Sequence, residues 1–101
     1  MLIRKAAQRR PSLGLAIADA SRMSMKAGGV PVFGAFVGKV APSSPGERAG
    51  IKPGDIITEA NFRSISSAAD LEKVLEGLAA GSHLALVLVR GDRPLRVQVV
   101  L

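Results

Sequence analysis

Cysteine is absent from the sequence, and with it any disulfide framework, thiolate zinc site or thiol nucleophile. A disulfide-free domain fits any redox compartment, so this absence carries no information on location. Tryptophan and tyrosine are also absent, which leaves Phe33, Phe36 and Phe62 as the only aromatic residues. Phe33 and Phe36 fall within an apolar run, which argues against a base-stacking platform for nucleic acid. Histidine occurs once, at His83 after Gly81-Ser82, and no G-x-S-x-G elbow surrounds a serine. A Ser-His-Asp catalytic site is therefore not expected. One histidine and scattered carboxylates give too few nitrogen or sulfur ligands for zinc, and no cofactor is implied. The longest uninterrupted apolar run is Leu84–Val89, far short of the roughly 18–20 residues that cross a bilayer. No membrane insertion by this segment is expected. The opening residues, Met1 to Arg10, lack the apolar core of a secretory signal.

What is present fits one small domain. The chain has 101 residues, of which 48% are hydrophobic and 22% charged, a mixture too apolar for disorder. The net charge of +6 is unevenly distributed. Arg4, Lys5, Arg9, Arg10, Arg22 and Lys26 face only Asp19 in residues 1–26, whereas residues 27–101 hold eight basic and seven acidic residues. The body is thus nearly neutral, and the charge gives no reason to expect a nucleic-acid partner.

Local patterns assign most of the elements. Residues 4–10 suit one or two helical turns before Pro11, and Leu13–Ala18 reads as a short strand. Residues 19–31 read as a polar, glycine-containing loop, and Val32–Val40 as a strand too rich in glycine for a helix. Ser44 to Gly50 carries the punctuation of a miniature helix. Ser44 is the cap, Pro45 the first helical residue, Glu47 the capping-box partner and Gly50 the stop. Lys52-Pro53-Gly54-Asp55 is a turn leading into a strand over 55–60, with Asp55 at its start and Glu59 facing solvent. A longer helix is expected over 67–79, with Ser67 as its N-cap. Its apolar stripe is Ala68, Leu71, Val74, Leu75 and Leu78, and Gly81 is its stop. His83–Arg90 reads as a central strand apolar on both faces. Gly91-Asp92 is a hairpin turn into a last strand on which Leu95, Val97, Val99 and Leu101 alternate. Gly34 to Val40 superficially resembles a phosphate loop, but it lacks the spacing and the hydroxyl after Lys39. The pattern is a β-rich α+β domain.

The run Val37-Gly-Lys-Val-Ala-Pro-Ser-Ser-Pro-Gly-Glu-Arg-Ala-Gly-Ile-Lys-Pro-Gly-Asp-Ile-Ile57 resembles the PDZ domains of bacterial HtrA-type serine proteases. The likeness continues through Ala68–Leu75 and Val87–Gly91. It implies a partly open β-barrel or sandwich of five to six strands with one long and one short helix, in the permuted bacterial strand order. It implies a domain over 12–101, preceded by a basic linker or domain edge over 1–11. The expected function is capture of the C-termini of extended, hydrophobic-ended peptides from unfolded or partner proteins. The domain would be a non-catalytic part of a serine endopeptidase with its own protease domain, in the bacterial envelope or periplasm. Other readings are a PDZ scaffold of another envelope protease or secretion component, and a basic nucleic-acid binder.

By the same resemblance, Leu13, Gly14 and Leu15 form the carboxylate-binding loop, with Arg10, and then Arg9, as the assisting cation. Successive backbone N–H groups there would make an anion nest, and Gly14 allows close backbone approach. The groove would be built from Ala16, Ile17 and Ala18 on one wall and Ala68, Glu72 and Leu75 on the other. Leu13, Leu15, Ile17 and Leu75 would receive the peptide's last side chain. Three departures from the family stand out. Asn61-Phe62-Arg63 replaces the usual Asn-Gly and predicts a looser or differently shaped turn. Gly46 replaces a helix former. Ala68 replaces the histidine that selects Ser or Thr, so no such selection is expected; Glu72 would favour a basic or hydroxyl side chain.

Overall fold

The computed structural model describes residues 13–20, 26, 27, 30, 31, 33–79, 81–91 and 93–101. Arg9, Arg10 and the helical turns expected over 4–10 lie outside these residues. Strand β1 (Leu15–Asp19) opens the described chain, followed by β2 (Lys26–Ala27), β3 (Val30–Pro31) and β4 (Ala35–Val40). Helix α1 (Pro45–Ala49) leads to β5 (Ile56–Ala60) and β6 (Arg63–Ser64). Helix α2 (Ala68–Glu76) then precedes the hairpin of β7 (His83–Arg90) and β8 (Arg93–Val100). One antiparallel sheet runs β1-β4-β5-β7-β8, and β6 pairs with β5. Among the described residues the sheet stays open, with β1 and β8 at its edges.

A separate two-stranded sheet, β2 with β3, occupies part of the stretch expected to be a loop. Lys26 pairs with Pro31 and Ala27 with Val30. Strands this short carry no periodicity, so polarity and glycine content alone suggested a loop.

The core lies against the inner sheet face. Leu84, Leu86 and Leu88 are buried on β7, together with Val37, Ile57, Val99 and Leu71 of α2. Each such side chain contributes about 1.5–3 kcal/mol when fully withdrawn from water. The alternate β7 residues, Ala85, Val87 and Val89, are only half-buried. The strand is therefore apolar on both faces but covered on one.

Both helices begin as their sequences dictate. Ser44 Oγ accepts from Glu47 N–H at 3.2 Å, and Ser67 Oγ accepts from Asp70 N–H at 3.3 Å. The third-position carboxylates reach one residue beyond the cap: Glu47 Oε1 takes Ser43 N–H, and Asp70 Oδ2 takes Ser66 N–H at 2.9 Å. Helix α1 closes on Gly50 at φ 94°, with Gly50 N–H donating to Glu47 O and Ile51 N–H to Gly46 O. This is the Schellman pattern, which a left-handed glycine permits. Helix α2 stops at Gly77, earlier than expected, where the last turn tightens into bonds from Gly77 to Val74 O and Leu78 to Leu75 O. Gly81, expected as the stop, instead donates its N–H to Leu101 O at 2.6 Å.

Two places differ from their sequence reading for non-local reasons. Asn61-Phe62 forms a tight two-residue turn, since Ala60 pairs directly with Arg63. Both turn residues adopt positive φ, 49° and 67°, as mirror-image hairpin turns require. Asn61 is fixed to β7 by its N–H to Ala85 O at 2.7 Å and by Ala85 N–H to its Oδ1 at 2.9 Å. Asp55 is more than a strand start. Its carboxylate is 1% exposed and receives Arg90 Nε and Nη2, each at 2.8 Å. Arg90 Nη2 also donates to Gly50 O at 2.9 Å. The Asp55 hydrogen bonds hold the Arg90 guanidinium above its already high ordinary pKa, so the pair is ionised under all ordinary conditions on the arginine side.

Candidate functional site

The site is built where β1 emerges from the Leu13–Gly14 segment beside α2. Leu13 lies in the core at 3% exposure. Its carbonyl accepts from Gly46 N–H of α1 at 3.0 Å, and Gly14 O accepts from Ala41 N–H at 2.8 Å. No peptide bond in the described residues is cis, and in a trans peptide the N–H points opposite to the C=O. With the carbonyls of Leu13 and Gly14 turned toward α1 and the end of β4, the N–H groups of Gly14 and Leu15 point away from them.

Gly14 makes this conformation possible at φ 74°. The close approach expected of Gly14 involves the chain itself, because an added Cβ would collide with the Ser44 side chain. Gly46, odd for a helix former's place, has the same explanation. A Cβ there would lie 2.8 Å from both Leu13 O and Leu15 Cδ2. Two glycines thus let the loop seat on the first turn of α1.

Beyond the loop, β1 alternates. Leu15, Ile17 and Asp19 are half-buried, while Ala16 and Ala18 are exposed. The bonds Ala41 N–H to Gly14 O and Ala20 N–H to Gly34 O flank the pairs Leu15↔Val40 and Asp19↔Ala35. They mark both as pairs whose backbone groups are not exchanged with each other. Alternation extends this to Ile17↔Val37, past the bulge between Ala16 and Ile17. Leu15 and Ile17 consequently turn backbone N–H and C=O groups toward the outer edge of the sheet.

Helix α2 stands beside that edge. Asp19 Oδ1 accepts from Ala68 N–H at 2.8 Å, tying the end of β1 to the start of the helix. Ala68 and Leu75 are half-buried and Glu72 is exposed, at the i, i+4 and i+7 spacing that places them on one stripe. Leu15, Ile17, Val74 and Leu75 all pack on the core cluster. At the helix start, the Ser66 backbone N–H, then its hydroxyl at 3.1 Å, hold the Asp70 carboxyl below the usual carboxylate range. The structure therefore brings Leu13–Ala18 together with α2. Asp19 and Gly46 were not recognised as site-forming from the sequence, since their partners are 49 and 33 residues away.

The family model for the PDZ domain matches residues 11–101. The chain belongs to the PDZ domain family. Over 68 residues, 67% of the chain, it is 41% identical to the periplasmic pH-dependent serine endoprotease DegQ of Escherichia coli K12. Over the same length it is 43% identical to the periplasmic serine endoprotease DegP of that organism. The chain spans only about a seventh of these relatives, 15% of DegQ and 14% of DegP. Among solved structures it resembles the HtrA3 PDZ domain bound to a phage-derived ligand, FGRWV, with a TM-score of 0.74 and 27% identity. That match covers 91% of this chain and 84% of the other. The HtrA-type protease AlgW with a decapeptide shares the fold, with a TM-score of 0.76 at 21% identity over 89% of this chain and 28% of AlgW. The sequence-based family resemblance and the open, β-rich fold are thereby established. The PDZ domain here corresponds to one part of serine endoproteases, and no protease domain lies within the matched residues.

Proposed function

We propose that this PDZ domain captures the C-terminal carboxylate of extended, hydrophobic-ended peptides, as the substrate-recognition or regulatory part of an HtrA-type serine protease. The observation that carries the reading is the outer edge of β1, which turns the backbone groups of Leu15 and Ile17 outward beside α2. A peptide running antiparallel to β1 would extend the sheet by one strand, with affinity from backbone hydrogen bonds and specificity from side-chain pockets. The bound ligands of HtrA3 and AlgW support this reading.

In this reading the peptide carboxylate meets the backbone at Leu13, Gly14 and Leu15, with Arg10, and secondarily Arg9, adding long-range attraction. The last side chain enters between Leu13, Leu15, Ile17 and Leu75. Ala16 and Ala18 flank the peptide on the outer face of β1, and Ala68 and Glu72 line the helix side. Residues 12–101 form the domain and 1–11 a basic linker or domain edge. The parent protein works in the bacterial envelope or periplasm, a reading supported by the periplasmic naming of the relatives DegP and DegQ.

Titration of the 15N-labelled chain with a peptide ending in a hydrophobic residue tests the reading. The amide signals of Leu15, Ile17, Glu72 and Leu75 are expected to shift, and those of β8 to stay in place. Shifts confined to β8 would overturn it.

A further inference from the structure

Remote from β1, the outer face of the sheet carries a second surface. Glu59 of β5 pairs in register with Val87 of β7, and Val87 pairs with Arg96 of β8. The three side chains stand in one row across the sheet, spanning about 10 Å from Glu59 to Arg96. Glu59 and Arg96 are exposed and Val87 is half-buried. In a second row Ala85 pairs with Gln98, and the Asn61–Ala85 bonds bring the Asn61-Phe62 turn alongside. Glu59, Phe62, Ala85, Val87, Arg96 and Gln98 line a concavity of about 350 Å³.

Phe62 stands at its rim, 92% exposed and at φ 67°. A bulky residue held in the left-handed region costs roughly 1–2 kcal/mol, and here burial returns none of it within one chain. Such strain points to a use outside the domain.

We propose that this face is a self-association surface, and that its occupant is a second copy of the chain. The rows have the order acid–apolar–base and aromatic–small–polar. A two-fold axis along β7 through Val87, lying in the plane of contact, sets Glu59 of each copy opposite Arg96 of the other. The same operation places Phe62 over Gln98 of the second copy, and Val87 and Ala85 against their own equivalents. Each copy then fills the other's concavity with the ring it holds out. One patch serves both sides, as an isologous interface requires. Residues 27–101 carry eight basic and seven acidic residues, so the body does not repel its copy. The groove at β1 lies on another part of the sheet and remains accessible.

Sedimentation equilibrium of the full chain tests this directly. The wild type is expected to show reversible, salt-weakened dimerisation. Glu59→Arg, Arg96→Glu and Phe62→Gly are each expected to weaken it by about tenfold or more. The Glu59→Arg/Arg96→Glu double variant is expected to restore association, since the swap regenerates both ion pairs. Circular dichroism melts establish that each variant is folded, and Phe62→Gly is expected to melt no lower than wild type. A wild type that stays monomeric up to about 1 mM would overturn the proposal. So would association unchanged by Phe62→Gly, or a double swap that fails to restore it.

Discussion

Asp19, the last residue of β1, accepts the N–H of Ala68, the first residue of α2, at 2.8 Å. One carboxylate thereby satisfies an amide that no intrahelical bond can reach, and fixes the distance between strand and helix at one end of the groove. Asp19→Ala should cost about 1–2 kcal/mol in urea denaturation, with weaker peptide binding. Asp19→Asn keeps an acceptor and should lose less than half as much. Equal losses for the two variants would show that the hydrogen bond is not the cause.

Gly14 should tolerate no side chain. Gly14→Ala places a Cβ against Ser44 and forces a non-glycine residue into positive φ. A loss of more than about 1 kcal/mol is expected, together with loss of peptide binding. Gly50→Ala makes the control. It too has a positive φ, 94° against 74° at Gly14, but an added Cβ there meets no other group. It should cost stability and leave affinity unchanged.

The Asp55–Arg90 pair should matter asymmetrically. Arg90→Ala leaves a carboxylate that is 1% exposed without its bidentate partner, and about 3 kcal/mol should be lost. The side chain of Arg90 is 38% exposed, so replacing both residues together, Asp55→Leu with Arg90→Met, should recover much of that loss. A double-mutant cycle in denaturant measures the coupling.

These two residues also show what a sequence displays and what it hides. The capping residues of α1 were legible because Ser44, Pro45, Glu47 and Gly50 act within a single turn. The fold and its strand order followed from the family-like run over 37–57. The ion pair was not legible, since Asp55 and Arg90 lie 35 residues apart and each fits its local role without the other. Asn61-Phe62 misled for the same reason. Phe62 argues locally for a loose turn, yet bonds from Asn61 to Ala85 on β7 hold it tight. Gly46 looked like a flaw in a helix until Leu13 O and Leu15 were found in the space its side chain would fill.

Asp70 supplies a pH-dependent contribution. Its carboxyl is depressed by hydrogen bonds from Ser66, so it titrates lower folded than unfolded. Its contribution is therefore present above the unfolded pKa and fades as pH falls through the folded value. Carboxyl-detected NMR should find Asp70 titrating below a typical aspartate, and Ser66→Ala should move it up, though only partway because the backbone N–H remains. Stability measured from pH 6 to pH 2 should fall less steeply in Asp70→Asn than in the wild type.

Carboxylate capture at the Leu13–Leu15 backbone is the central claim, and isothermal titration of one hydrophobic-ended peptide in two forms tests it. The free acid is expected to bind in the roughly micromolar range, about −8 kcal/mol. The C-terminal amide, identical in every side chain, should bind at least about tenfold more weakly, a loss of about 1.4 kcal/mol. Equal affinity for acid and amide would contradict the account.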